Sequence, residues 1–309
     1  MPLLYLDGQR AWPLTAPARS GGQLPTRHRT LKYARGRLIG LCGVGAAMLD
    51  RFGTGFRPCR EADHRIGLAL APEGTLWQSI KRRRIVELYG VMRTTSAVRH
   101  FTNDPLPDEI LYTILDNARF APSGGNRQGT RIVIIRDPDT RQALVELTIP
   151  ATKKYVAQRQ AGENPWNTIY PSRVSDDEVA AAEVPGSFTA PLLQAGVVLV
   201  VCVDLRVVAA LDKELDRVGI VGGASVYPLV WNILLAARNE GFGGTITTMA
   251  VAEEPRICQL LGIPETYAVA CVVPLGKPVH QPRRLSRLDV AGLTRIEHWH
   301  GVPLTPGRT

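Results

Sequence analysis

The 309-residue sequence predicts an α+β or α/β fold, helices mixed with a few partly buried strands, on three observations. "LPDEILYTILDNARF" (106–120) repeats its apolar residues at helical spacing. "VVLVVCVD" (197–204) is a continuous apolar run, as in a strand buried on both faces. "GGASVYPLVWNILLAARNEG" (222–241) is apolar on nearly all sides, which assigns its helix to a core or a subunit interface.

Taken in order, residues 1–73 mix Pro, Gly and Arg without helical period or alternation, and little stable structure is expected there. From Thr75 a helix is expected, with Trp77, Ile80, Ile85, Leu88 and Val91 on one face and the basic run "KRRR" (81–84) as a solvated face. In 106–120, Pro107 suits a first helical turn, Asp108 and Glu109 complement the dipole, and Ile110, Leu111, Ile114, Leu115 and Ala118 form the apolar face. A turn dense in small and polar residues (122–128) then leads into the strand "RIVIIR" (131–136). A helix capped by Asp137 or Asp139 follows to about Leu147, and residues 150–191 read as a long excursion of the kind that forms lids or partner arms. The 222–241 helix stops at Gly241, a natural C-cap residue; a short helix (253–263) and a last strand (267–276) complete the series.

The formal charge of +9 would favour an anionic partner were it spread over the chain. Residues 1–85 hold 15 Lys and Arg against 5 Asp and Glu, whereas the remainder holds 22 against 23. The basic excess belongs to an N-terminal extension, disordered or non-native, and neither nucleic acid nor membrane is an expected partner of the main body. The five cysteines form no CxxC pair, read as small hydrophobes and suit a reducing cytoplasm. "LIGLCGVGAAML" (38–49) is too short to span a bilayer.

No G-x-G-x-x-G follows a strand, and P-loop, G-x-S-x-G and metal-ligand spacings are absent from the sequence; "HWH" (298–300) reads as an exposed tail. Acid–base constellations are equally missing, so the chemistry is expected to come from a cofactor. Four polar clusters are left. "MRTTSAVRHF" (92–101) sets Arg93 and Arg99 beside hydroxyls at a helix end, which suits a phosphate and a polyol. The 122–128 turn offers Ser123 and Asn126, with Gly124 and Gly125 leaving room for a flat ligand. "GFGGTITT" (241–248) reads either as a cap leading into a loop or as a ligand wall, and Arg283, Arg284 and Arg287 either as a solvated tail or as an anion clamp.

In this order the clusters resemble the FMN-dependent nitroreductase family, from about residue 86 to 301. The resemblance is carried by "SAVRHF", "PLPDEIL", "ARFAPSGGNRQ", "GASVYPLVWNILLAARNEGFGG" and "PLGKP" with its following arginines. It implies a three-layer sandwich, a central mixed sheet flanked by helices, forming a homodimer with the flavin at the interface, and leaves 302–309 as a tail. It places Arg99 with the hydroxyls of Thr94, Thr95 and Ser96 near the FMN phosphate and ribityl chain, and Pro122, Ser123, Gly124 and Asn126 against the isoalloxazine and its ribityl chain. It places Gly243, Gly244 and Thr245 on the reactive N5 side, and Arg283, Arg284 or Arg287 on the phosphate. The motif's first Arg does not fall at Thr95 or Ser96; Arg93, one turn earlier, stands in for it. The implied activity is NAD(P)H-dependent reduction of an electron-poor small molecule, a nitroaromatic or quinone, by ping-pong transfer through FMN, with no protein residue as catalyst. A flavin-binding carrier or sensor is the alternative, and some relatives dehalogenate.

Overall fold

The computed structural model describes residues 87–307. The basic N-terminal segment, including the helix expected from Thr75 as far as Val86, lies outside the described residues.

The sheet has strands β1 (Thr130–Ile135), β2 (Val197–Asp204), β3 (Gly243–Gly244) and β4 (Tyr267–Gly276), in the order β1-β2-β4-β3. All three pairings are antiparallel. The expected mixed sheet is thus corrected: among the described residues parallel pairing is limited to the isolated bridge between Ala97 and Gly244.

β2 is buried at every position, as its unbroken apolar run requires. Because side chains alternate across a strand, Val197, Leu199, Val201 and Val203 face one layer, and Val198, Val200 and Cys202 the other. The first layer holds α2 (Asp108–Ala118) and α6 (Tyr227–Asn239), which supply Leu111, Ile114, Val230, Ile233 and Ala237. The second holds α3 (Pro138–Gln160), α5 (Gly186–Gln194) and α7 (Glu254–Leu261), which supply Leu144, Leu192 and Ile257. This is the three-layer α+β arrangement. A bulge where Val201 and Cys202 meet β4 lets Val269 and Val272, three residues apart, face the same layer.

α1 (Leu88–Thr94) is capped by the Glu87 carboxylate, which accepts from the Tyr89 and Gly90 N–H groups at 3.1 Å. Asp137 caps α3 through the Thr140 N–H at 2.8 Å. α3 does not stop near Leu147: it runs 23 residues, straight through Pro150. An internal proline removes one hydrogen bond, but Leu144, Leu147, Thr148, Ala151 and Thr152 around it are buried, so packing overrides the breaker. The expected excursion from 150 to 191 is therefore largely helical, comprising the second half of α3, α4 (Asp176–Ala181, closed by a Ser175–Glu178 capping box) and α5. Its irregular part, 161–175, is held by Glu163, which accepts from the Arg173 N–H and the Ser172 hydroxyl, each at 2.7 Å.

The apolar segment 222–241 splits into a 3-10 turn (Val221–Ser225) and α6. At its end the Gly241 N–H donates to Arg238 O and the Phe242 N–H to Ala237 O, a Schellman closure that uses Gly241 at φ +80°. After β4 the chain passes through α8 (Val290–Leu293) with Leu288, Leu293 and Trp299 exposed, as expected of the "HWH" tail. Cys202 and Cys271 are buried, and burial pushes their thiols up to about 11 and about 12, so both stay neutral hydrophobes. No helix among the described residues is long and apolar enough to cross a membrane.

Candidate active site

The structure gathers the sequence-marked residues into two groups. In the first, the segment after α1 runs beside β3: Ala97 bridges Gly244, and the Val98 N–H donates to Gly244 O at 2.9 Å. This approach requires the first glycine, and the packing against β4 the second. A Cβ on Gly243 would lie 2.7 Å from Val98 Cγ2, and one on Gly244 would lie 2.5 Å from Pro274 O. Thr95 and Thr245 are buried here, Ser96 is half-buried, and Arg93 and Arg99 are exposed. The Thr95 hydroxyl donates to Val91 O at 2.8 Å, closing the last turn of α1.

The chain beyond β4 returns to the same place. Thr102 N–H donates to Lys277 O at 2.8 Å, and Gln281 Nε2 donates to Thr94 O at 2.7 Å. Arg283, Arg284 and Arg287 follow directly and are exposed. Two residues in this group carried no signal in the sequence. Gln281 is one. Arg238 is the other, donating from the last turn of α6 to Thr94 Oγ1 at 3.1 Å. Their partners come from distant elements, so neither sits in a recognisable pattern.

The second group is the turn after α2. Gly125, Asn126 and Gln128 all have positive φ, at 60°, 52° and 49°. Glycine and asparagine enter that region at little cost, whereas glutamine pays on the order of 1 kcal/mol. Its N–H is held by Ser123 Oγ at 3.0 Å. The Gly124 N–H donates to Ser225 Oγ at 3.0 Å, which fixes the turn on the 3-10 segment preceding α6. Ser225 was missed among the small residues of "GGAS". Pro122, Gly124 and Asn126 are exposed and Ser123 is half-buried.

The two groups occupy opposite corners of the domain. Gly244 pairs with Leu275, which pairs with Val197, whereas the turn enters β1 at Thr130, opposite Val203. Six residues of β2 and three strand spacings separate them, about 25 Å corner to corner. α6 gives an independent measure: one group precedes it at Ser225 and the other follows it at Gly243, across 13 helical residues, about 20 Å. A packed core lies between.

No group of His, Cys, Asp and Glu among the described residues could hold a metal ion. The strongest perturbed carboxylates are structural. Asp204 is held down to about 2 by the Arg206 guanidinium. Asp212 is held to about 2, first by the Ile220 N–H and then by Arg217. With its side chain 4% exposed, Asp212 ties together the loop 205–221.

The nitroreductase family model matches residues 92–277. Among curated proteins, the chain is 29% identical over 208 residues to an NADH dehydrogenase of Thermus thermophilus, covering 66% of this chain and 91% of that one. It is 24% identical over 215 residues to an iodotyrosine deiodinase of Nematostella vectensis, covering 69% and 73%. Among solved structures, nitroreductase A from Vibrio parahaemolyticus superposes with a TM-score of 0.50 at 20% identity, covering 70% of this chain and 77% of that one. A match over that span, on this three-layer fold and through the glycine corner at β3, means that the chain belongs to the nitroreductase family.

Proposed function

We propose that the protein is an FMN-dependent NAD(P)H oxidoreductase that reduces an electron-poor small molecule, a nitroaromatic or quinone, in two alternating half-reactions. When bound, FMN supplies the redox chemistry, taking a hydride from the nicotinamide and passing electrons to the acceptor. The family match supports this, as does the name of the Thermus relative. The residues present fit the cofactor. Gly124 and Gly125 leave bare backbone for a flat ring, while Arg93, Arg99, Arg283, Arg284 and Arg287 give the β3 corner a cationic rim for a phosphate.

The observation that carries the reading furthest is the separation of the two corners. In the proposed assembly each flavin lies between two copies, held by the β3 corner of one protomer and the 122–128 turn of its partner. α6 supports this arrangement, because Tyr227 and Trp231 remain 43% and 42% exposed one turn apart, with Leu235 a turn further on. An isologous contact of that stripe on itself, about a two-fold axis perpendicular to α6, runs the two helices in opposite directions and brings the start of one beside the end of the other.

Purified full-length protein is expected to be yellow and to bleach on anaerobic addition of NADH or NADPH. Protein that neither carries nor takes up FMN would remove the proposal. Flavin that binds but stays oxidised with both donors would favour the carrier or sensor. A panel of nitroaromatic, quinone and halogenated aromatic acceptors then assigns the second half-reaction.

A further inference from the structure

Beside the 122–128 turn lies a cleft of about 410 Å³ whose polar lining includes Arg119, Ser123, Arg127, Arg131 and Ser225. Of these the sequence assigned a site role to Ser123 alone, although Arg119 and Arg127 stand in the same motif. The cleft offers donors and few acceptors. Arg127 Nη1 donates to Val207 O at 3.2 Å, and Arg131 Nη1 to Gln128 O and Thr130 O at 2.9 and 2.8 Å. Carbonyl oxygens use part of each guanidinium; Asp204 lies close enough to feel the Arg131 charge, but among the described residues neither Arg127 nor Arg131 is ion-paired with a carboxylate.

The nearest carboxylates are already engaged. Asp116 pairs with Arg119 Nε at 2.7 Å, and Asp204 is gripped by Arg206 at 2.7 and 2.9 Å. The two serines point the same way chemically. Ser123 Oγ accepts from the Gln128 N–H and Ser225 Oγ from the Gly124 N–H, so each hydroxyl keeps its own proton to donate. Two guanidiniums that are not ion-paired, Arg127 and Arg131, beside the Asp116-paired Arg119 and two hydroxyls, with no carboxylate in the lining, make a site for an anion bearing several oxygens.

We propose that this cleft is a phosphate subsite for the nicotinamide dinucleotide donor, with Arg127 and Arg131 as the residues that hold it. The proposal rests on the oxidoreductase reading above: a donor stacked on a flavin that lies against Pro122–Asn126 has this cleft next to it. The phosphate has two sources. The 2′-phosphate occurs in NADPH alone, and the diphosphate in both NADPH and NADH.

The test uses the FMN-loaded full chain, titrated calorimetrically with adenosine 2′,5′-bisphosphate and with ADP, alongside steady-state KM for NADPH and NADH. Arg127→Gln and Arg131→Gln are each expected to weaken the recognised ligand about ten-fold or more, with Arg131→Lys recovering part of the loss and FMN content unchanged. Losses confined to the bisphosphate and NADPH identify the 2′-phosphate; losses shared with ADP and NADH identify the diphosphate. Unchanged affinities for both probes overturn the proposal. Loss of bound FMN from the glutamine variants also overturns it, assigning the arginines to the cofactor instead. If the wild-type flavin is not reduced by either donor, the oxidoreductase reading falls, while the calorimetric titration still decides the subsite.

Discussion

Corners about 25 Å apart, with a packed core between them, predict that two different inactive copies can repair each other. The perturbations are one chain carrying Arg99→Glu and Arg283→Glu, which reverses charge at the β3 corner, and another carrying Gly124→Trp, which covers the turn. Gly124 is exposed, and a Cβ there makes ordinary contacts with Ser225 Oγ at 3.4 Å and Ala209 Cβ at 4.0 Å, so the backbone accepts a side chain whose ring occupies the turn's surface. Each homodimer combines a good corner with a bad one at both sites and is expected to lack flavin. A heterodimer has one site built from two intact corners and one from two damaged corners. Random co-assembly therefore restores about one quarter of wild-type flavin sites, and heterodimer isolated through two different tags about one half. Flavin absorbance against protein concentration reads both values directly. Heterodimer without flavin, or a parent homodimer that retains it, would refute the two-copy site, as would failure of the tagged copies to co-purify.

Three further outcomes follow from the geometry. Gly244→Ala forces a Cβ to 2.5 Å from Pro274 O and from Leu275 Cδ2, so denaturant titration should find it less stable by about 1–3 kcal/mol. Thr152→Val replaces a fully buried hydroxyl that has no hydrogen-bond partner, and is expected to raise stability by about 1 kcal/mol in the same titration. Asp212 has its carboxyl held at about 2 against an ordinary 3.8, a depressed value, so its contribution is full above 3.8 and fades as pH falls through about 2. Thermal melts should show Asp212→Asn well below wild type at neutral pH, with the gap closing toward pH 2.

What could be read from the sequence was whatever depends on neighbours along the chain. The β2 run announced a strand buried on two faces, the 106–120 pattern gave α2 its apolar face, and Gly241 marked the end of α6. Pro150 misled because its local cost was outweighed by Leu144, Leu147 and Ala151, whose burial partners lie in distant segments. The sheet's antiparallel pairing was likewise invisible, since it is set by register among strands far apart in sequence. At the site, each polar cluster was legible singly as a turn or helix end. Their sorting into two corners depends on the length of α6 and on the pairing of Gly244 with Leu275, and neither leaves a motif. Arg238, Gln281 and Ser225 escaped for the same reason, each meeting a partner more than a hundred residues away.

The fixed length of α6 also determines where this chain can change size. One added residue would turn everything after it by about 100° and advance it about 1.5 Å, detaching Gly243 and Gly244 from β4. The segments 161–175 and 205–220 carry no such burden, because they are braced locally by Glu163 and Asp212. Libraries meant to widen the range of acceptors should vary the lengths of those two segments and keep the residue count between Ser225 and Gly243 constant.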